Sequence, residues 1–265
     1  MKVFISADIE GTTTTSFREE GDPSTSEYKI YAQRMTEEVA AACEGAIAAG
    51  ATEIYVKDAH GKGNNIDISQ LPDCVKLIRG WTGHPYAMVD GLDDSFAALV
   101  FIGYHSAASR VGNPVSHTFS GRPLYVKING QIASEFMLYS YAGILERVPT
   151  VFLAGDKMLC EDSADLHPHL ITCQVKEGRG GRTVNYNPKN TLKEIKEKVE
   201  LALKQDLKNC LGTIPTSFTL EVCYKDQTYA EKYSYFPGVE KINDNTIRFK
   251  TDSYLELLRT FIFIS

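Results

Sequence analysis

The chain opens on a short apolar run, Val3-Phe4-Ile5, and turns polar at Ser6-Ala7-Asp8-Ile9-Glu10. The same change recurs further along. Ile54-Tyr55-Val56 leads into Lys57-Asp58-Ala59-His60, and Leu99-Val100-Phe101-Ile102 leads through Gly103-Tyr104 into His105. Val151-Phe152-Leu153-Ala154 ends on Gly155. Short continuous apolar runs bounded by glycine and polar residues predict strands buried on both faces. Val75–Ile78 and Ile171–Val175 read as shorter strands. Between them, a helix is predicted from Glu27 to Ala49, with Ser26 as its N-cap and Gly50 as its stop. Gly91–Ser95 reads as the start of another helical connection, and a further helix runs from Glu135 to Leu145. Leu124–Ile128 and Gln131-Ile132 flank Asn129-Gly130, the signature of a β-hairpin. Alternating β and α elements predict an α/β fold: a three-layer αβα arrangement around a mostly parallel sheet.

The pattern changes beyond Gly178–Gly181. Leu192–Leu203 is an amphipathic Lys/Glu-rich helix with Glu194 and Lys198 at i,i+4 spacing. Phe218–Val222 alternates like a strand wet on one face, Ile247–Phe249 is another, and a helix starts at Tyr254. The expected division is an α/β domain over residues 1–177, to which the metal-binding and catalytic candidates below are assigned, and a smaller C-terminal α+β unit over 178–265.

Composition narrows the setting. A formal net charge of −6 over 265 residues, without a long Lys/Arg run, argues against nucleic acid or an anionic membrane as partner. No apolar stretch reaches the length of a membrane span. Asp8 and Glu10 fall where the apolar core of an export signal would lie. The six cysteines form no Cys-x-x-Cys pair and read as reduced core residues. The expectation is a soluble cytoplasmic protein.

The chemistry gathers where the apolar runs end. In open α/β sheets ligands bind beyond the carboxyl ends of the strands. Three of these ends carry Asp8 and Glu10, then His60, then His105. Imidazole with carboxylate is a ligand set for zinc or a similar transition metal. His117 and Glu135 follow as further candidates, and Asp58 is placed to hold the His60 ring from behind. His84, His167 and His169 read as structural.

These residues resemble the binuclear-zinc D-aminopeptidases. The matching stretches are Ser6–Gly11, Met35–Glu38, Asp58–His60 with Asn64-Asn65, Gly91–Asp94, Gly103–His105, Ser116-His117 and Glu135. The resemblance covers about the first 160 residues, and Phe236-Pro237-Gly238 is its best anchor in the tail. It implies that Asp8, Glu10, His60, His105 and Glu135 are metal ligands for two zinc ions, and that His117 is the catalytic histidine. It also implies cleavage of short peptides or amides with an N-terminal D-residue, D-alanine above all, and a homodecamer.

Two rival readings stay open at this point. Asp8-Ile9-Glu10-Gly11-Thr12 also resembles the first motif of haloacid-dehalogenase phosphatases, with Asp8 as nucleophile, Glu10 as acid, and Asp156, Glu161 and Asp162 as magnesium-binding acids. That reading leaves His60, His105, His117 and Glu135 without a role. A non-catalytic peptide-binding protein is the other, and a complete ligand set would be needless in it.

Overall fold

A computed structural model describes residues 1–164 and 166–265. The chain runs β1 (Lys2–Ala7), α1 (Tyr28–Ala48), β2 (Glu53–Asp58), β3 (Val75–Ile78), β4 (Ala98–Tyr104), β5 (Pro123–Ile128), β6 (Gln131–Ile132), α2 (Glu135–Leu145) and β7 (Thr150–Asp156). It continues through α3 (Lys157–Ser163), β8 (Ile171–Arg179), β9 (Arg182–Asn185), α4 (Pro188–Leu203), β10 (Phe218–Tyr224), α5 (Gln227–Ser234), β11 (Val239–Lys241), β12 (Thr246–Thr251) and α6 (Tyr254–Ile264). One sheet has seven strands in the order β3-β2-β1-β4-β7-β8-β9, parallel except for the β8–β9 hairpin. The other has five antiparallel strands in the order β11-β12-β10-β5-β6. The expected α/β class and mostly parallel sheet hold.

Strand alternation sorts the central apolar runs between two cores. Val3 and Ile5 of β1, with Val100 and Ile102 of β4, face the side covered by α1 and α4. Phe4, Leu99 and Phe101 face the other way, into a core shared with α2, α6 and the inner residues Leu220 and Val222 of β10. Helix α2 therefore lies in the core common to both sheets, buried from Glu135 through Gly143. That burial brings Glu135 to the strand ends.

Two glycines close the gap between the ends of β1 and β4. A Cβ on Gly11 would lie 1.8 Å from the Tyr104 carbonyl oxygen. Gly103 has φ +70, and a Cβ there would lie 2.1 Å from the Asp8 carbonyl oxygen. No side chain fits either position, so the backbones of the Asp8 and His105 loops can touch. The Gly11 N–H donates to the Gly103 carbonyl at 2.7 Å.

Several elements differ from the sequence reading. Gly91–Ser95 is a turn instead of a helix, because the Asp93 carboxylate takes the Ser95 N–H and hydroxyl and holds the backbone bent. Ser26 does not cap α1, since its hydroxyl goes to Glu27. Helix α3 was not foreseen; Asp156 caps it through the Leu159 N–H. Residues 177 and 178 lie inside β8, so the chain passes that point within the seven-stranded sheet. The five-stranded sheet takes β5 and β6 from before it.

Candidate metal centre

A cavity of about 370 Å3 opens at the carboxyl ends of β1, β2 and β4. Asp8, Glu10, His60, His117 and Glu135 line it, with Trp81, Met88 and Phe119 on its walls. His105 lies beneath them, 1% exposed. All six side chains singled out from the sequence thus converge from two loops, three strand ends and one helix start.

Their distances fall into two groups that share Asp8. Asp8 Oδ1 lies 3.3 Å from His60 Nδ1, and Glu10 Oε2 lies 2.9 Å from that same nitrogen. Asp8 Oδ2 lies 3.5 Å from His105 Nε2, and Glu135 Oε2 lies 3.4 Å from it. Each imidazole is turned by a backbone carbonyl. His60 Nε2–H donates to Gly21 O at 2.8 Å, and His105 Nδ1–H donates to Ser106 O at 2.9 Å. The remaining nitrogens, Nδ1 of His60 and Nε2 of His105, therefore point at the carboxylates. His105 Nε2 and Glu10 Oε2 are buried without a hydrogen-bond partner among the described residues. Glu10 Oε2 is close to His60 Nδ1 without hydrogen-bond alignment. Buried acceptors of this kind, on imidazole and carboxylate, suit a transition-metal cation.

The electrostatics point the same way. Burial, joined by Glu10, pushes Asp8 up to about 8. Burial also opposes the charge on Glu10, but His60 beside it holds that carboxyl well below the usual range. Burial disfavours the His60 imidazolium, yet Glu10 and Asp8 outweigh it and raise His60 to about 12. Glu135 and Asp8 likewise raise His105 to about 10 against its burial. Three buried carboxylates draw protons onto both rings. A divalent cation meets the same demand and releases those protons.

His117 is placed differently. Its ring stacks on His105 with centroids 4.4 Å apart. Its Nδ1–H donates to Val115 O at 3.0 Å, and its Nε2 lies 3.5 Å from Glu135 Oε1 at the cavity surface. Ligand atoms of His105, His117 and Glu135 all lie within 4.8 Å of one another, as do those of Asp8, Glu10 and His105.

A family model described as D-aminopeptidase (peptidase family M55) matches residues 1–263. The chain belongs to the D-aminopeptidase family. A D-aminopeptidase of Bacillus subtilis (strain 168) is 30% identical over 264 residues, 99% of this chain and 96% of that protein. The solved structure of the Zn-dependent D-aminopeptidase DppA from Bacillus subtilis, a self-compartmentalizing protease, matches with a TM-score of 0.93. That match has 28% identity and covers 100% of this chain and 96% of that one. The protein is thus a hydrolase of the D-aminopeptidase family, and the phosphatase and non-catalytic readings are not favoured. Asp156, the phosphatase reading's magnesium acid, instead accepts from the Ser106 N–H and hydroxyl at 2.6 and 2.5 Å. Asp162 is paired to Arg110 at the surface.

Around this cluster stand residues that the sequence did not mark. Asp156 holds Ser106, and the Ser106 carbonyl turns His105. Asn113 Nδ2 donates to the Glu10 carbonyl at 2.8 Å, and the buried Lys176 ammonium donates to the Glu10 and Thr15 carbonyls. Phe119 has φ +67, which turns its N–H onto Glu135 Oε1 at 2.6 Å. Asp58 does not support the His60 ring. It accepts from Asn65 N, Asn65 Nδ2 and Ile66 N, and Asn65 in turn holds the His60 carbonyl, so Asp58 shapes the loop and Gly21 aims the ring. A buried lysine and a left-handed phenylalanine leave no periodic trace in sequence; both act across the fold.

Proposed function

We propose that this protein removes D-residues from the N-terminus of short peptides and amides, D-alanine above all, with two zinc ions per subunit. The observation that carries the reading is the shared carboxylate. Asp8 presents one oxygen to the His60–Glu10 group and the other to the His105–Glu135 group. Asp8, Glu10 and His60 would hold one ion, and Asp8, His105 and Glu135 the other. Zinc bound in such sites polarises a carbonyl and lowers the pKa of water to about 7.

The chain's own residues do the rest. Gly21 and the Ser106–Asp156 pair keep both rings in one tautomer and orientation. His117 donates from Nδ1 to Val115, so its neutral form carries the lone pair at Nε2. Nε2 takes a proton from the attacking water and returns it to the leaving amine nitrogen, which contributes about a hundredfold to ten-thousandfold. Met88, Phe119 and Trp81 exclude solvent from one side of the cavity.

Handedness follows from fixed placement. Inverting the α-carbon exchanges side chain and hydrogen, and an ångström of misplacement costs about a hundredfold in rate. The test is metal content with paired substrates. Elemental analysis should find about two zinc ions per subunit, and D-Ala-D-Ala should be cleaved at least about a hundredfold better in kcat/KM than L-Ala-L-Ala. Less than one ion after zinc titration refutes the dinuclear reading, and equal rates refute the stereochemical one.

Self-association into a decamer belongs to the same proposal, supported by likeness to a self-compartmentalizing protease. A monomer by light scattering at micromolar concentration removes it. No helix among the described residues is long and apolar enough to cross a membrane. Six free cysteines, five of them buried, fit a reducing cytoplasm.

A further inference from the structure

A second cavity, of about 350 Å3, adjoins the metal centre and shares two walls with it, Trp81 and Phe119. It runs between the 81–84 loop and the end of α6, where Phe263 is 61% exposed and stacks on Phe236. Trp81 stands between the cavities. Its indole N–H donates to Gly61 O at 2.9 Å, and the Lys57 ammonium lies 4.3 Å from its ring centre, which fixes the ring on both counts. Asp90 is the acid at this cavity, held by the Thr82 hydroxyl at 2.6 Å, and no lysine or arginine lines it among the described residues.

We infer that this groove is the leaving-group subsite, taking the residues after the scissile bond with an apolar side chain against Phe263. The inference rests on the D-aminopeptidase reading. An aminopeptidase substrate has a single residue before the scissile bond. The metal cavity, at about 370 Å3, takes that residue and the reacting amide. A second cavity of similar size, sharing Trp81 and Phe119 with the first, serves what comes after. Its chemistry selects the occupant. Aromatic walls favour an apolar side chain, and Asp90 disfavours a free terminal carboxylate, since the Lys57 ammonium that partly offsets it lies at the Trp81 ring and is not among the groove's lining residues. The favoured ligand is thus the interior of a short peptide or a C-terminal amide.

Trp81 is the only tryptophan of the chain, so its emission reports on the groove directly. Titration with Gly-Phe-amide, the product of cleaving D-Ala-Gly-Phe-amide, should change that emission saturably. Phe263→Ser should raise the Kd about tenfold, the scale of one well-buried ring. With zinc-loaded enzyme, the kcat/KM ratio of D-Ala-Gly-Phe-amide to D-Ala-amide should fall about tenfold in Phe263→Ser, through KM. Phe263→Lys should shift preference from the tripeptide amide toward the tripeptide acid. An unchanged Kd and ratio in both variants overturns the inference. If the variants lose self-association by light scattering while Kd stays the same, the face is a contact between copies and the subsite is excluded. D-Ala-amide hydrolysis tests the underlying reading separately: its absence removes the peptidase activity and the leaving-group role with it, even where Gly-Phe-amide binds.

Discussion

Two parts of this molecule bury histidines, and they treat them in opposite ways. At the strand ends, Asp8, Glu10 and Glu135 raise His60 to about 12 and His105 to about 10. On the other side of α2, His167 is 3% exposed with neither ring nitrogen hydrogen-bonded among the described residues. Burial alone lowers it to about 4. Neighbouring residues of one helix face the two environments. Glu135 lies beside His105, and the Phe136 ring meets the His167 ring edge-on at 5.9 Å. Burial is common to both, so burial does not mark a functional histidine. Convergence of carboxylates does, because it gives the ring a charged partner and leaves a lone pair aimed at a shared point.

The hardest test of that contrast removes a ring from the acidic cluster. His60→Ala leaves Asp8 and Glu10 facing each other without an imidazole, so the protein should retain at least one metal ion fewer. Activity should fall by about a thousandfold or more, since the metal's charge stabilisation amounts to several kcal/mol. Elemental analysis beside kinetics decides it. A variant that keeps its full metal content would show that His60 is no ligand.

His117 sits between the two cases, near Glu135 yet partly open to solvent. His117→Ala should keep both metal ions and the fold while kcat falls by about a hundredfold or more. If metal is lost in proportion to activity, His117 belongs with the ligands.

These two variants test what could be read before the structure. Asp8, Glu10, His60 and His105 were legible because each directly follows an apolar run, and parallel strands bring their carboxyl ends to one side. Glu135 and His117 were read only as further candidates on the loop and helix that follow, and their roles came from the family resemblance, because nothing in the spacing places α2 against the strand ends. Lys176 and Asp156 escaped because they act across long stretches of chain, on the Glu10 carbonyl and on Ser106. Phe119 escaped because a positive φ is a property of the folded loop. The second sheet was only half visible. Its alternating strands Phe218–Val222 and Ile247–Phe249 were read, and so was the hairpin β5–β6 from the first half, but nothing in the pattern showed that β5 pairs with β10 in one sheet.

The other histidine environment is tested by acid. His167 has a folded pKa of about 4, below its ordinary 6.5, so the unfolded chain binds its proton more readily. Its contribution to stability is full above about pH 6.5 and is lost as pH falls toward 4. Between pH 7 and pH 5 that difference amounts to about 2 kcal/mol. Urea midpoints at the two pH values measure it. His167→Phe should remove this part of the acid loss, whereas His84→Ala, at an exposed position, should not. An unchanged pH dependence in His167→Phe would mean that the folded ring takes up its proton as readily as the unfolded one, so that burial does not hold it neutral.

The smallest effect concerns the backbone that holds Glu135. Phe119 adopts φ +67, a region that costs a residue with a Cβ about 1 kcal/mol or more and costs glycine little. In return its N–H reaches Glu135 Oε1 at 2.6 Å and its ring reaches the cavity wall. Phe119→Ala and Phe119→Gly both delete the ring, which packs near Tyr139 and Phe261, so both should be less stable than the parent. They differ only in the backbone. If the left-handed turn is what aims the N–H, the glycine variant should be the more stable of the two by about 1 kcal/mol, because it enters the turn without strain. It should also hold metal at least as tightly as the alanine variant, since Glu135 keeps its donor. The alanine variant being equally stable, with equal metal affinity, would show that the turn relaxes once the ring is gone, and that the ring, not the backbone, sets the position of Glu135.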